Sequence, residues 1–237
     1  MPFADDLIGS SAARRLMAAV QTAAPQQKLI HLRQATDDLE GRGLLERADL
    51  LRDALLADLP GSYNQFAAHV RCARDRSGTF SGWLMWPVTS AVALKAIEDG
   101  STRAFDDAMG LLAELTGRLT SEFAVRLLLR HDPDRALQTM TAWSSSPDVD
   151  VRRLASEGSR PYLPWATRVP TLITRPGLTI AILQALQQDD SEYVRRSVAN
   201  RAPSARCHPG CAAPRRLPSA YLAVSASWSH GRRGPIT

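Results

Sequence analysis

The sequence predicts an all-α protein, built as an α-solenoid of HEAT-like helical repeats. Alanine, leucine and arginine are abundant and alternating β-branched runs are nearly absent, which favours helices over strands. A Val-Arg-Arg triplet also recurs at positions 151 and 194, inside similar segments at 148–157 and 191–200. Its 43-residue spacing falls within the period of about 40–47 residues that is typical of HEAT and armadillo repeats.

The first half of the chain shows leucines at helical spacing, separated by glycine- and proline-containing turns. Pro87 suits a first helical turn, and Ser101 or Thr102 suits an N-cap. We therefore predict helices over 10–22, 27–58 (broken near Gly41 and Gly43), 63–75, 83–98 and from about 102 to Gly117.

The second half alternates more regularly between short helical patterns and short turns. Thr120 or Ser121 suits the N-cap of its first helix. We predict helices over 121–130, from 135 to Trp143, from Val151, over 178–188 and from Ser191, with turns of two to seven residues between them. Each helix is too short to bury its apolar face alone, as expected for a solenoid.

The character of the sequence changes after Asn200. Residues 201–237 contain six arginines and no lysine or acidic residue, whereas residues 1–200 contain 23 basic and 24 acidic residues. We therefore predict a folded domain over 1–200 and an irregular basic tail over 201–237. Two alternatives stay open for the tail: disorder, or a shifted reading frame beyond Asn200.

Because the domain is not basic as a whole, a nucleic-acid surface would require local clusters of arginine.

Cysteine, metal and membrane signals are weak. Cys207 and Cys211 lack a second ligand pair at zinc-finger spacing, and Cys72 fits a small buried side chain. The N-terminus lacks the apolar region of a secretory signal, and no apolar run is long enough to span a bilayer. We expect a cytoplasmic monomer with no membrane segment, no bound metal and no cofactor.

The stretch from Val151 to Trp165 carries most of the chemistry. It places Glu157, Trp165 and the arginines at 152, 153 and 160 within fifteen residues, and Pro161 and Pro164 end the helix between them. A carboxylate, an indole and several guanidinium groups form a plausible site for a cationic base on a polyanionic strand.

Three segments carry a family resemblance: SEFAVR (121–126), VRRLASEGSRPYLPW (151–165) and SEYVRRSVAN (191–200). Together with the opening MPFADDLIG and GWLMWPV (82–88), they resemble the AlkC branch of the AlkC/AlkD DNA alkylation-repair glycosylases over roughly 1–200. The resemblance implies a HEAT-like solenoid that binds duplex DNA containing alkylated bases. It further implies excision of cationic bases such as 3-methyladenine by glycosidic hydrolysis, without metal or cofactor.

The resemblance also implies roles for individual residues. Glu157 and Glu122 become the candidate catalytic carboxylates, and Trp165 a contact for deoxyribose or the cationic base. Structural alternatives remain for each: an ion pair of Glu157 with Arg153, an ion pair of Glu122 with Arg126, and a core position for Trp165. Trp86 and Trp143 have the spacing of core residues.

Arginines at equivalent positions of the two similar segments are candidate DNA contacts. They are Arg152 and Arg153 in the first segment and Arg195 and Arg196 in the second, with Arg160 as a further candidate. We expect one arginine of each pair to contact DNA. The alternative is a set of solvated helix faces paired with neighbouring acids.

One departure weakens the catalytic interpretation. Where the family pattern continues as HLND after SVAN, with a carboxylate implicated at the active site, this chain has Arg201, Ala202, Pro203 and Ser204. Ser204 thus takes the place of an aspartate. A non-catalytic solenoid that binds DNA or a protein partner therefore remains the alternative function.

Overall fold

The computed structural model describes residues 4–200, and these residues form helices joined by short turns. Their bounds are Ala4–Leu7 (α1), Ser10–Ala23 (α2), Ile30–Asp37 (α3), Leu44–Asp58 (α4), Tyr63–Arg76 (α5), Met85–Asp99 (α6), Thr102–Leu115 (α7), Glu122–His131 (α8), Pro133–Trp143 (α9), Val149–Gly158 (α10), Pro170–Thr174 (α11), Ile180–Leu186 (α12) and Glu192–Ala199 (α13). Two 3-10 helices, Gly82–Leu84 and Pro176–Thr179, precede α6 and α12. The predicted all-α class is confirmed.

Helices α7, α9 and α10 begin at residues whose side chains accept hydrogen bonds from amides of the first turn. Ser101 caps α7 by accepting a 3.1 Å hydrogen bond from the Ala104 amide, and Asp132 caps α9 through the amide of Arg135 at 3.1 Å. Asp148 caps α10 by accepting from the amide of Asp150. Such caps satisfy amides that have no partner inside the helix.

The packing follows the pattern of an α-solenoid. Helices α4, α6, α8, α10 and α13 form one row in which each packs against the next, and α5 packs on α7, as α9 does on α12, in a second row. One continuous apolar core runs between the rows, from Ile8 to Val198. The predicted α-solenoid is therefore confirmed.

One predicted helix is wrong in its bounds. The chain does not form a single helix over 178–188: α12 ends at Leu186, and a 3-10 turn occupies Pro176–Thr179. The sequence interpretation also missed α11, which begins at Pro170, where the fixed φ of proline suits a first helical turn.

Gly158, at the end of α10, is where two neighbouring helices approach closely. A Cβ atom added there would lie 2.6 Å from Cγ1 of Val125 on α8 and 3.3 Å from Cε of Met140 on α9. The glycine therefore allows α10 to contact both helices, and it is also the residue at which α10 ends. This contact fixes the relative position of the two helices that carry the candidate carboxylates.

Candidate functional site

A cleft of about 250 Å³ opens between α8, α10 and the loop at 159–168. Glu122, Glu157, Arg160 and Trp165 all line it. The structure therefore brings together four of the residues that the sequence singled out, although they come from two helices and a loop.

Glu157 lies in the last turn of α10 and is 5% exposed. Its Oε1 accepts a hydrogen bond from Arg160, and its Oε2 accepts one of 2.7 Å from the hydroxyl of Ser197 on α13. The predicted ion pair with Arg153 is long, at 4.0 Å. A buried carboxylate at a helix C-terminus is opposed by the helix dipole, so it requires these donors to stay in place.

Glu122 begins α8 and is also buried. Its Oε2 is 3.2 Å from NH1 of Arg153 and 3.0 Å from the hydroxyl of Thr120. Burial raises the pKa of Glu122, Arg153 lowers it, and the negative charge of Glu157 raises it again. Both carboxylates are buried and line the same cleft.

The alternative ion pair of Glu122 with Arg126 is wrong. The guanidinium of Arg126 instead donates to the main-chain carbonyls of Gly158, Arg160, Pro161 and Thr167. Arg153, from the neighbouring repeat, takes the position beside Glu122. Helical spacing alone could not reveal this exchange, because the partner comes from another helix.

Arg153 lies between the two carboxylates. It donates to Glu122 and Thr120 at 3.2 Å each, and its guanidinium carbon lies 4.9 Å from the ring centroid of Tyr193 on α13. A ring face at this distance attracts a cation. Arg153 is thus held by contacts from three consecutive members of the helix row, α8, α10 and α13.

Trp165 stands at the rim of the cleft. Its side chain is 58% exposed, so the core position considered for it is wrong. Its φ of 60° lies in the left-handed region, which bulky residues rarely adopt. An exposed indole held in an uncommon backbone conformation at a cleft is typical of a ligand contact.

Two aromatic side chains, Trp83 and Phe123, also line the cleft. Trp86 is buried, as predicted, and stacks on Phe123 with ring centroids 3.9 Å apart. Trp83, whose position the sequence left open, lines the cleft 6.3 Å from Trp86. Trp143 is partly buried and packs against the core.

The remaining candidate arginines lie outside the cleft lining. Arg152 donates to both oxygens of Asp189 and to the carbonyls of Ser146 and Pro147. Arg195 donates to the carbonyls of Asp189 and Asp190. Both guanidinium groups therefore hold turns of the chain itself.

Arg196 differs from these two arginines. It is exposed and forms a 2.8 Å ion pair with Glu192, one helical turn earlier on α13. The proposed DNA contacts of Arg152, Arg195 and Arg196 stay predictions. Ser204 lies outside the described residues.

Sequence reasoning missed three residues of this region: Arg126, Tyr193 and Ser197. A signal for Ser197 existed, because the 43-residue repeat places it where the first segment has the buried Leu154. A hydroxyl at an otherwise apolar repeat position indicates a polar partner, which here is Glu157. Arg126 gave no such signal.

Residues 4–200 contain neither a metal-binding cluster nor a membrane-spanning helix. No group of three or more His, Cys, Asp or Glu side chains in this part of the chain could hold a metal ion. None of its helices is long and apolar enough to cross a membrane. Cys207 and Cys211 lie outside the described residues.

The fold and the cleft define a class of protein: a helical-repeat solenoid with two buried carboxylates beside arginines and an exposed tryptophan. No family profile matches the chain. A segment of 157 residues is 36% identical to the uncharacterized protein YhaZ of Bacillus subtilis (strain 168), covering 66% of this chain and 42% of YhaZ.

A solved structure shows the same architecture. The alkylpurine DNA glycosylase AlkC of Pseudomonas fluorescens, bound to DNA containing an abasic site analog, matches with a TM-score of 0.75 and 31% identity. The match covers 85% of this chain and 55% of that one. The chain therefore has an AlkC-like fold, and it spans about half the length of these two proteins.

Proposed function

We propose that the protein is a DNA glycosylase that hydrolyses the N-glycosidic bond of cationic alkylated bases, such as 3-methyladenine, in duplex DNA. The observation that carries this proposal is the pair of buried carboxylates, Glu122 and Glu157, in one cleft beneath the exposed Trp165. Similarity to an alkylpurine DNA glycosylase that was solved on DNA supports the assignment.

The chemistry of such a substrate suits carboxylates. A base alkylated at N3 already carries a positive charge, so its departure needs little protonation. As the glycosidic bond breaks, positive charge develops on the deoxyribose, and a nearby carboxylate stabilises it and orients the attacking water. Glu157 is the first candidate for this role, because Arg160 and Ser197 fix both of its oxygens.

The arginines then have a role that depends on DNA. In the free protein, Arg153 and Arg160 offset the charges of the two carboxylates. Phosphate is a strong bidentate partner for a guanidinium group, so a DNA backbone at the cleft would compete for both arginines. Their transfer to phosphates would leave the carboxylates to face the cationic base.

Trp165 would contact the deoxyribose or the alkylated base. Its exposed ring offers a π face, and a cationic base is attracted to that face more strongly than a neutral one. The preference for charged bases would then have two sources, the carboxylates and the indole.

The test is single-turnover release of 3-methyladenine from methylated duplex DNA. Glu157→Gln should slow release by about 10²-fold or more, the usual contribution of a catalytic acid or base. It should leave DNA affinity nearly unchanged. Glu192→Gln is the matched control, since it makes the same substitution at an exposed glutamate of the next repeat.

A binding protein without catalysis remains the second candidate, because Ser204 stands where the family pattern has a carboxylate. A wild-type chain that is folded and binds DNA but releases no base would support this candidate and refute the glycosylase. Release that Glu157→Gln abolishes would show that the cleft is catalytic despite Ser204.

A further inference from the structure

Arg126 is the largest of the fully buried side chains in residues 4–200, with 0% exposure. Its guanidinium donates to four main-chain carbonyls. Nε contacts Thr167 at 2.7 Å, NH1 contacts Gly158 at 3.1 Å and Arg160 at 2.5 Å, and NH2 contacts Pro161 at 3.4 Å. Gly158 is the last residue of α10, and the other three acceptors lie in the loop between α10 and α11.

This burial is costly, because the guanidinium group loses its hydration and forms no salt bridge with a carboxylate of residues 4–200. Burial lowers the pKa of Arg126 to about 10, the nearby Arg160 also lowers it, and the charge of Glu122 raises it, so the group is still charged at neutral pH. An apolar side chain would fill the same space at lower cost. Stability alone therefore does not explain an arginine here.

The loop that Arg126 binds has little structure of its own. Among its backbone hydrogen bonds are those from the Arg160 amide to Glu157 and from the Ala166 amide to Leu163. The guanidinium joins its two ends, because the carbonyls of Gly158, Arg160 and Pro161 precede Trp165 in the chain and that of Thr167 follows it. A loop closed in this way can hold Trp165 at its uncommon positive φ.

Arg126 also connects the loop to the first carboxylate. It lies one helical turn after Glu122 on α8, so the same helix carries a wall of the cleft and the anchor of the opposite wall. A shift of the loop relative to α8 would change the distance from Trp165 and Arg160 to Glu122. A single residue thus couples the geometry of two repeats.

We propose that Arg126 is a positioning residue that fixes the loop at 158–167, so that Trp165 and Arg160 face the two carboxylates before DNA binds. The expected effect of Arg126 on DNA affinity rests on the proposed function, whereas its effect on the position of the loop does not. A preorganised loop needs no ordering on binding, which improves affinity.

The test uses Arg126→Met, which keeps the apolar stem and removes all donors, and Arg126→Lys, which keeps the charge on a single nitrogen. Chymotrypsin can cleave after Tyr162 and Trp165, whose side chains are 62% and 58% exposed, but only when the loop opens. Losing hydrogen bonds from a charged group should speed cleavage at these two sites on the order of 10-fold or more in Arg126→Met. Arg126→Lys should give an intermediate rate.

Arg152→Met is the matched control, because Arg152 also donates to loop carbonyls, those of Ser146 and Pro147. It should leave cleavage after Tyr162 and Trp165 at the wild-type rate. Equal acceleration in the two methionine variants would mean general destabilisation and would overturn the proposal. So would wild-type cleavage rates in both Arg126 variants.

Affinity for a duplex that contains an abasic-site analogue gives the second readout. The DNA affinity of Arg126→Met should fall by about the same factor as its rate of cleavage in the loop rises. If the wild-type chain neither binds this DNA nor releases a base, the proposed function fails, but the cleavage result still decides the role of Arg126. If Arg126→Met does not fold, Arg126→Lys alone must show selective opening of the loop.

Discussion

The helices α10 and α13 carry the same Val-Arg-Arg triplet, yet their arginines serve the molecule differently. The first arginines act alike: Arg152 and Arg195 each donate through NH1 to the carbonyls five and six residues earlier. The second arginines do not. Arg153 lies among buried side chains beside Glu122, whereas Arg196 pairs with Glu192 on the surface. The arginines that behave alike, Arg152 and Arg195, stabilise turns of the solenoid. The arginine that differs, Arg153, lies beside the carboxylate of the cleft.

A second difference between the two helices has the same meaning. Leu154 of α10 is buried in the apolar core, and its counterpart on α13 is Ser197, whose hydroxyl donates to Glu157 and lies 3.0 Å from the hydroxyl of Ser156. An apolar residue at this position packs into the solenoid core, as Leu154 does. The serine at the same position of α13 is explained by its hydrogen bond to the neighbouring carboxylate. Helix α13 therefore supports the cleft as well as closing the described core.

The largest effect should come from the second arginines. Arg153→Met leaves Glu122 buried without its cation, and such a loss typically costs about 3–5 kcal/mol in free energy of unfolding. Arg196→Met removes an exposed pair and should cost less than about 1 kcal/mol. Urea unfolding of both variants measures the contrast. Similar losses of unfolding free energy in the two variants would show that Arg153 and Arg196 contribute equally to stability.

A smaller effect is expected at Ser197. Ser197→Ala removes a hydrogen bond to a buried carboxylate and should lower the free energy of unfolding by about 1.5–3 kcal/mol. The control Ser144→Ala removes a buried hydroxyl that donates to the carbonyl of Thr141, and should cost about 0.5–1.5 kcal/mol. A Ser197 variant no less stable than its control would mean that α13 does not hold Glu157.

These contrasts explain how far the sequence could be interpreted. The solenoid class and most helix positions follow from local patterns and from the 43-residue repeat, and the structure confirms them apart from α11 and the bounds of α12. Motif residues such as Glu157 and Trp165 were found because they are close in sequence. The ion pair of Glu122 with Arg153 and the contacts of Arg126 could not be predicted, because they join residues more than 30 positions apart. Helical spacing wrongly paired these two residues with each other.

The first-turn glutamates offer a third comparison, since Glu122 of α8 is buried and Glu192 of α13 is exposed. The pKa of Glu122 is raised above its ordinary value of 4.5 on folding, chiefly by burial. The folded state therefore binds more protons than the unfolded state between 4.5 and the raised pKa, and stability falls as pH rises through that window. Each unit of the rise corresponds to about 1.4 kcal/mol.

Glu122→Gln should remove this contribution, so the free energy of unfolding of the variant should gain on that of the wild type as pH increases. Urea titrations at several pH values above 4.5 measure the difference. Glu192→Gln, which removes an exposed carboxyl, should retain the dependence that Glu122 causes. Parallel curves for the wild type and Glu122→Gln would contradict the assignment.

The smallest expected effect separates the two arginines of α13 on DNA. Arg196 is exposed and needs only to leave Glu192 to reach a phosphate, whereas Arg195 is committed to the carbonyls of Asp189 and Asp190. Each phosphate contact contributes about 0.9 to the slope of log affinity against log salt.

Arg196→Ala should therefore flatten this slope by about 0.9 for an undamaged duplex, while Arg195→Ala should leave it unchanged and lower stability instead. A flatter slope in Arg195→Ala alone would reverse the roles assigned to the pair. Unchanged slopes in both would place the exposed face of α13 away from the DNA.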